Sequence, residues 1–479
     1  MAFRHGFSRR KVLMAGLALA APVTPILSQP LSSTWDVIVI GSGLAGLTAA
    51  VSAREAGAER VLLVEKGPLV GGHTIHASGS IAVLSPKRQA ALGFKDSVDL
   101  WLEDARRAGG VISAAHLAHI ARESEGAVDW LESFGLLMTK TAYQAVGDLH
   151  PRSVTALGLA AGRRYVIALH DVATTLGVQT TLNTEAKALI PCDEQGLVGV
   201  TVLQGKTTTT LKAAGVVIAT GGFSANVAQR LLYDDRLTPD IPTTANPHDL
   251  YWDGAQGDGL KLGVSIGGTT VGMQNIILLP ISGGRLLDYV GGDIYVNNGG
   301  KRFVNEALPV YDISEAIMKQ DGRSVWVVTD SVSRKGATLG MKLANGTVHR
   351  SDTVKDMAKG MGVDAKVLQT TLDEYNADVV TGVDRHFGKT VFAQTIQTPP
   401  FYWGRETVGV HMTLGGLAVS IKAELLDANG NPIPGFWAAG ETTGGIFGRG
   451  RPGGMSLITC LVQGRDAGRA AAKRMKDLR

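Results

Sequence analysis

The sequence predicts an α/β fold: a Rossmann-like dinucleotide-binding domain interrupted by an inserted α+β capping domain. Three observations carry that expectation. Near the N-terminus a short apolar strand runs into a glycine-rich turn and then a helix. A second apolar run ends on an acidic residue 24 positions after the first glycine. Toward the C-terminus, strands ending in glycine return after a long stretch of different character.

Asp36-Val37-Ile38-Val39-Ile40 is apolar and β-branched, the composition of a buried parallel strand. Gly41-Ser42-Gly43-Leu44-Ala45-Gly46 follows at once, and residues 47–55 have helical composition. The three glycines serve different ends. Gly41 allows the tight turn, Gly43 lets backbone approach a pyrophosphate, and Gly46 permits close helix–strand packing. The helix start offers free N–H groups to phosphate. Glu65 ends the second apolar run and is placed to accept hydrogen bonds from ribose hydroxyls. Gly71-Gly72-His73-Thr74 and Ala77-Ser78-Gly79 form a small-residue loop, and residues 216–222 read as a further strand ending in Gly221-Gly222.

The nucleotide domain is placed at residues 34–240 and 401–479, and the cap at 241–400. Within the cap, residues 251–258 are polar and glycine-rich. Residues 291–306 read as two short strands around Asn298-Gly299-Gly300, and residues 352–378 have helical spacing. On the return, residues 434–441 read as a strand ending in Gly440-Glu441. Gly453-Gly454-Met455-Ser456 then precedes a long helical stretch.

Residues 1–30 read as an address rather than structure. Arg9-Arg10-Lys11 precedes an apolar stretch at 12–21, with Ala18-Leu19-Ala20 as a cleavage site, the pattern of a twin-arginine export signal. That apolar stretch is shorter than the ~20 residues a membrane span needs, so a periplasmic protein without stable membrane insertion is expected. The net charge of +4 sits partly in this leader and supplies no basic face for nucleic acid. Cys192 and Cys460 match no zinc, iron–sulfur or haem spacing, so no metal is expected. Both are read as small buried hydrophobes.

In this order the pieces resemble the fumarate reductase/succinate dehydrogenase flavoprotein superfamily, which includes soluble flavocytochrome-type fumarate reductases, urocanate reductase and 3-ketosteroid dehydrogenases. The matching stretches are residues 37–79, 150–152, 219–223, 254–259, 300–306, 411–416 and 434–454. The resemblance implies FAD, with Gly41, Gly43, Gly46, Glu65, Thr74, Gly79, Ala186, Gly222, Asp258, Glu441 and Ser456 along it. The Gly-Gly-His-Thr order looks like the branch that binds FAD non-covalently, while His73 and His76 keep covalent attachment open.

His411-Met412-Thr413-Leu414-Gly415-Gly416 resembles the superfamily's His-x-Thr-x-Gly-Gly, whose histidine binds a substrate carboxylate or carbonyl. Arg451 stands where an arginine clamps a carboxylate, a role suited to its planar fork. Two positions depart from the fumarate reductases. Leu279-Pro280-Ile281 replaces their His-Pro-Thr, and residues 305–312 hold no arginine where those enzymes keep their proton donor. Residues 309–312 look instead like the ketosteroid dehydrogenases, which makes Tyr311 the acid/base beside His411 and Arg451. The expectation is an FAD-dependent oxidoreductase acting on a CH–CH bond next to a carboxylate or carbonyl of a small organic substrate other than fumarate. Without a CxxCH haem site, electrons would pass to or from a separate partner such as a cytochrome. The alternatives are a ring-ketone desaturase of ketosteroid type and a non-catalytic flavin electron carrier. Arg451 speaks against the first and the large cap against the second.

Overall fold

β1 (Thr34–Ile40), α1 (Leu44–Glu55) and β2 (Val61–Val64) form the expected strand–helix–strand unit. They belong to a computed structural model that describes residues 32–144, 148–158, 160–245, 254–287, 289–336 and 338–479. The expected export signal at residues 1–30 lies outside the described residues, as do residues 251–253 of the glycine-rich stretch. Among the described residues no helix is long and apolar enough to cross a membrane.

β1 and β2 join β3 (Gln179–Thr181), β4 (Thr184–Ile190), β5 (Val198–Gln204) and β6 (Thr207–Ile218) in an eight-stranded sheet, completed by the strands Glu424–Leu426 and Pro432–Ala438. The four central pairings are parallel, including Ile40 against Val64 on one side and Ile218 on the other. Their carboxyl ends therefore meet on one edge, where an open α/β sheet binds its ligand. β1 is buried from Trp35 onward, with α1 and the C-terminal helix packed against it. The C-terminal helix Met455–Leu478 lies along α1, with Gly464 and Gly468 against the carbonyls of Ala45 and Ala49. A Cβ at either glycine would collide with that backbone, so this contact is set by small residues.

The cap is built on a five-stranded sheet: β7 (Ile276–Pro280), β8 (Ile294–Val296), β9 (Ser324–Thr329), β10 (Val348–Ser351) and β11 (Phe401–Thr413). All its pairings are antiparallel, and β11 is its spine, pairing with β7, β9 and β10. The strand at 401 thus pairs with cap strands, and the chain rejoins the large sheet at Glu424. Helices Val354–Met361 and Ala365–Thr381 occupy the stretch with helical spacing and pack Met357, Leu368, Leu372 and Tyr375 against Trp326, Val328 and Trp403. Of the two short strands expected around Gly300, only β8 forms; the second is a single bridge, Val296 to Arg302. Arg302 turns inward instead, pairing with Glu306 at 3.0 Å and Asp384 at 2.9 Å. The buried Lys389 closes that cluster on Glu306 at 3.0 Å. Residues Thr34–Arg479 pack as one unit.

The two cysteines differ from expectation in one respect. Neither is fully buried, since Cys460 is half-buried and lines two cavities, and Cys192 is exposed. It follows β4 at the sheet margin, where its Sγ lies 3.4 Å from the Pro434 carbonyl and 3.3 Å from Arg474.

Candidate active site

A groove follows the carboxyl edge of the large sheet. It is lined by Gly41, Gly43, Glu65, Thr74, Ala186, Asp258 and Glu441. Gly41 has φ +100°, and a Cβ there would strike the Ala219 carbonyl. A Cβ at Gly46 would strike the Gly41 carbonyl, so Gly46 packs behind the groove rather than lining it. A Cβ at Gly43 meets nothing closer than 3.9 Å and opens onto the groove. That division of labour fits a pyrophosphate lying against backbone at Gly43. The Glu65 carboxylate is fixed by Ser42, whose N–H and hydroxyl donate at 3.0 and 2.6 Å, and by the Gly67 N–H at 2.7 Å. Asp258 starts the helix Asp258–Ser265 and accepts from Lys66 at 2.6 Å, tying that helix to the residue after Glu65. The residues present fit an extended dinucleotide such as FAD.

The groove continues into a second cavity of about 560 Å³. His73, Thr74, His76, Glu441 and Cys460 line both. The second cavity brings together all three residues proposed for catalysis, Tyr311, His411 and Arg451, with Gly79 and Ser456. Gly222 lines neither; a Cβ on it would strike Thr413 and the Glu441 carboxylate. It makes room for Glu441, whose Oε1 accepts from the Thr413 N–H at 3.0 Å.

His411 owes its place to an irregularity. The register of β7 on β11 passes from Ile277 opposite Met412 to Leu278 opposite Val410, leaving His411 as the extra residue of a β-bulge. Bulges re-aim side chains beside active sites. Burial, the positive Arg451 and then His73 push the His411 imidazole well below the usual histidine range, so it is neutral near pH 7. Its Nδ1 lies 2.9 Å from the Thr244 hydroxyl. That hydroxyl also reaches the His411 carbonyl at 3.0 Å and His73 Nε2 at 3.1 Å. His73 Nδ1 in turn stands 3.5 Å from Glu441. Thr244 has one hydroxyl hydrogen to share among these partners, so its orientation is coupled to which nitrogen of His411 carries the proton.

Arg451 is enclosed and makes no ion pair among the described residues. Its Nη1 donates to the Pro452 carbonyl at 2.9 Å, its Nη2 lies 3.5 Å from Met412 Sδ, and its buried Nε has no partner. Burial lowers its pKa, countered by Asp148 and Glu441. A guanidinium with spare donors facing a cavity is an anion site in waiting. Tyr311 enters the cavity from the first turn of the helix Val310–Met318, with the Arg449 guanidinium 5.2 Å over its ring. Its neighbour Asp312 is exposed and outside the cavity; partial burial raises its pKa, and Arg449 opposes that. Arg285, Tyr289 and Tyr295 line neither cavity. Arg285 pairs with Asp293 at 2.7 Å, and Tyr295 is buried in the cap.

Thr244 is absent from every motif read in the sequence; the long-range bridge of Thr243 with Val410 brings it to His411, and that contact leaves no local signal. His73 was legible only as a flavin-attachment position. Here both of its ring nitrogens have partners.

A dinucleotide cradle that runs without a break into a substrate cavity is the plan of an FAD-dependent oxidoreductase, here one of the CH–CH class. The chain belongs to the FAD-binding-domain family, whose profile matches residues 36–457, and lies within the fumarate reductase/succinate dehydrogenase flavoprotein superfamily. A cytochrome-type fumarate reductase of Shewanella frigidimarina is 32% identical over 92% of this chain and 78% of its own length. The acrylate reductase flavoprotein subunit of Shewanella woodyi is 29% identical over 97% of both chains. Among solved structures, the open conformation of a flavocytochrome c3 fumarate reductase superposes with a TM-score of 0.77 at 29% identity, covering 98% of this chain and 82% of that one.

Proposed function

We propose that the enzyme reduces the carbon–carbon double bond of an α,β-unsaturated monocarboxylate, and not that of the dicarboxylate fumarate. The observation that carries this reading is Arg451, a guanidinium that lines the cavity without an ion pair among the described residues, beside the neutral imidazole of His411. A carboxylate seated on that pair is held bidentately, and its negative charge is partly neutralised. Electron density is then drawn from the adjoining double bond, which prepares the β-carbon for hydride and the α-carbon for a proton. FAD, when bound and reduced by the electron donor, would supply the hydride. Tyr311 is the acid that protonates the α-carbon, and the Arg449 guanidinium over its ring stabilises the phenolate left behind. Glu441, His73 and Thr244 orient His411.

The leader, with Arg9-Arg10 before an apolar stretch, supports export to the periplasm by the twin-arginine route. Electrons are then drawn from a separate carrier such as a cytochrome, consistent with relatives that are flavocytochromes.

The test is a screen of viologen-reduced holoenzyme against unsaturated acids and ring ketones, followed by viologen reoxidation. Turnover of unsaturated monocarboxylates with none of ring ketones supports the reading. Turnover of ring ketones alone overturns it in favour of a ketosteroid-type activity.

A further inference from the structure

We infer that the substrate is an enoate whose β-carbon bears a hydrocarbon group, in place of a second carboxylate or a polar ring. This rests on the monocarboxylate reading above and deepens it. Among the described residues that line the catalytic cavity, Arg451 is the one lysine or arginine. Two of the histidines described there, His411 and His76, are held toward the neutral form. Burial, then Arg451 and His73, keeps His411 neutral, and burial, His73 and Arg163 lower the pKa of His76. His73 is engaged with Thr244 and Glu441.

Three separate segments finish the cavity with hydrocarbon. β7 contributes Ile277 and Leu279, the turn into the helix Val310–Met318 contributes Pro309 and Val310, and the loop before Arg451 contributes Ile446 and Phe447. Ile277, Ile446 and Phe447 are also buried parts of the main core, so this wall is packed from behind and keeps its shape. A second carboxylate against this wall would lose part of its water and meet hydrocarbon in place of a second cation, which is unfavourable. A hydrocarbon group would be driven in by its own burial. An unsubstituted acrylate would leave the wall uncovered.

Cinnamate is the simplest substrate of this description. Its π bond breaks, the β-carbon takes a hydride and the α-carbon takes a proton, giving 3-phenylpropanoate. The two electrons come from a one-electron donor, two equivalents of reduced methyl viologen in the assay, with two protons from solvent.

The experiment measures kcat/KM of the holoenzyme for cinnamate, acrylate, urocanate and fumarate by viologen oxidation. Cinnamate is expected to exceed fumarate by at least about 100-fold and to exceed urocanate, its polar-ring counterpart, because burying an unpaired polar group discriminates at that scale. Leu279→His should shift the cinnamate-to-fumarate ratio toward fumarate by about tenfold or more. Flavin content and melting temperature confirm that the variant folds, and Leu279→Asn serves where it does not. Fumarate or urocanate used as well as cinnamate overturns this inference and leaves the enoate reading standing. Ring ketones reduced while all four acids are refused overturns both.

Discussion

The cradle and the cap wall recognise their ligands in opposite ways. Along the large sheet, backbone shapes the groove: Gly41 bends, Gly43 clears space and Gly46 lets α1 close on β1, with side chains such as Glu65 and Asp258 set around it. In the cap, side chains decide. The bulge on β11 aims His411, and Leu279 supplies hydrocarbon to the cavity. Backbone recognition tolerates almost no change and is indifferent to which substrate is processed. Side-chain recognition tolerates change and sets the substrate.

The sharpest way to break that contrast is Gly46→Ala. Its new Cβ would sit on the Gly41 carbonyl, so bound flavin, read as the ratio of absorbance at 450 and 280 nm, should vanish or the protein should fail to fold. Full flavin loading would show that the cradle is not backbone-limited. Leu279→Ala, by contrast, should keep its flavin.

Next in size is Tyr311→Phe, expected to slow turnover by about 10²–10⁴-fold while leaving KM within a few-fold. Asp312→Asn should do little, since Asp312 stands outside the cavity. The reverse pattern would route the proton through the carboxylate. Arg451→Ala should reduce kcat/KM by about 2–4 kcal/mol of transition-state stabilisation, with flavin content unchanged. Unchanged kcat/KM would remove the carboxylate clamp. A smaller effect belongs to Thr244→Val, about 1 kcal/mol for a lost hydrogen bond to His411, visible in the pH profile of kcat/KM and reversed by Thr244→Ser.

The smallest effect concerns pH. The folded pKa of His411 lies well below the ordinary value of 6.5, so between the two the unfolded chain binds more protons. The contribution of His411 to stability is therefore full above 6.5 and is lost as pH falls below it. Melting temperature measured from pH 7.5 to 5 should decline less in His411→Gln than in the parent. An identical slope would mean that His411 titrates freely.

The unit from Gly41 to Glu65 was legible because its parts are tied by covalent spacing, and the second half of the α/β sheet was legible from strands ending in glycine. The bulge at His411 was not, since it arises from how β7 registers on β11 and leaves no mark on either strand alone. The link from His73 through Thr244 to His411 joins positions 171 and 167 residues apart, beyond any local pattern. The inward turn of Arg302 was missed for a related reason. Asn298-Gly299-Gly300 promises a hairpin, but ion pairs with Glu306 and Asp384 hold the returning chain out of a ladder. Leu279 was readable only as a departure from a resemblance, and its partners in the wall, Ile446 and Phe447, come from the far end of the chain.

The two members of the proposed anion clamp sit on different bodies: His411 on the spine of the cap sheet, Arg451 four residues before the helix that is locked to α1. A molecule gripped by both acts as a tie-rod between cap and cradle. Part of its binding energy then goes into holding the double bond in place between them and appears in the rate of reaction rather than in affinity. Shortening the substrate at the end remote from the double bond should lower kcat, even where the truncated compound still binds.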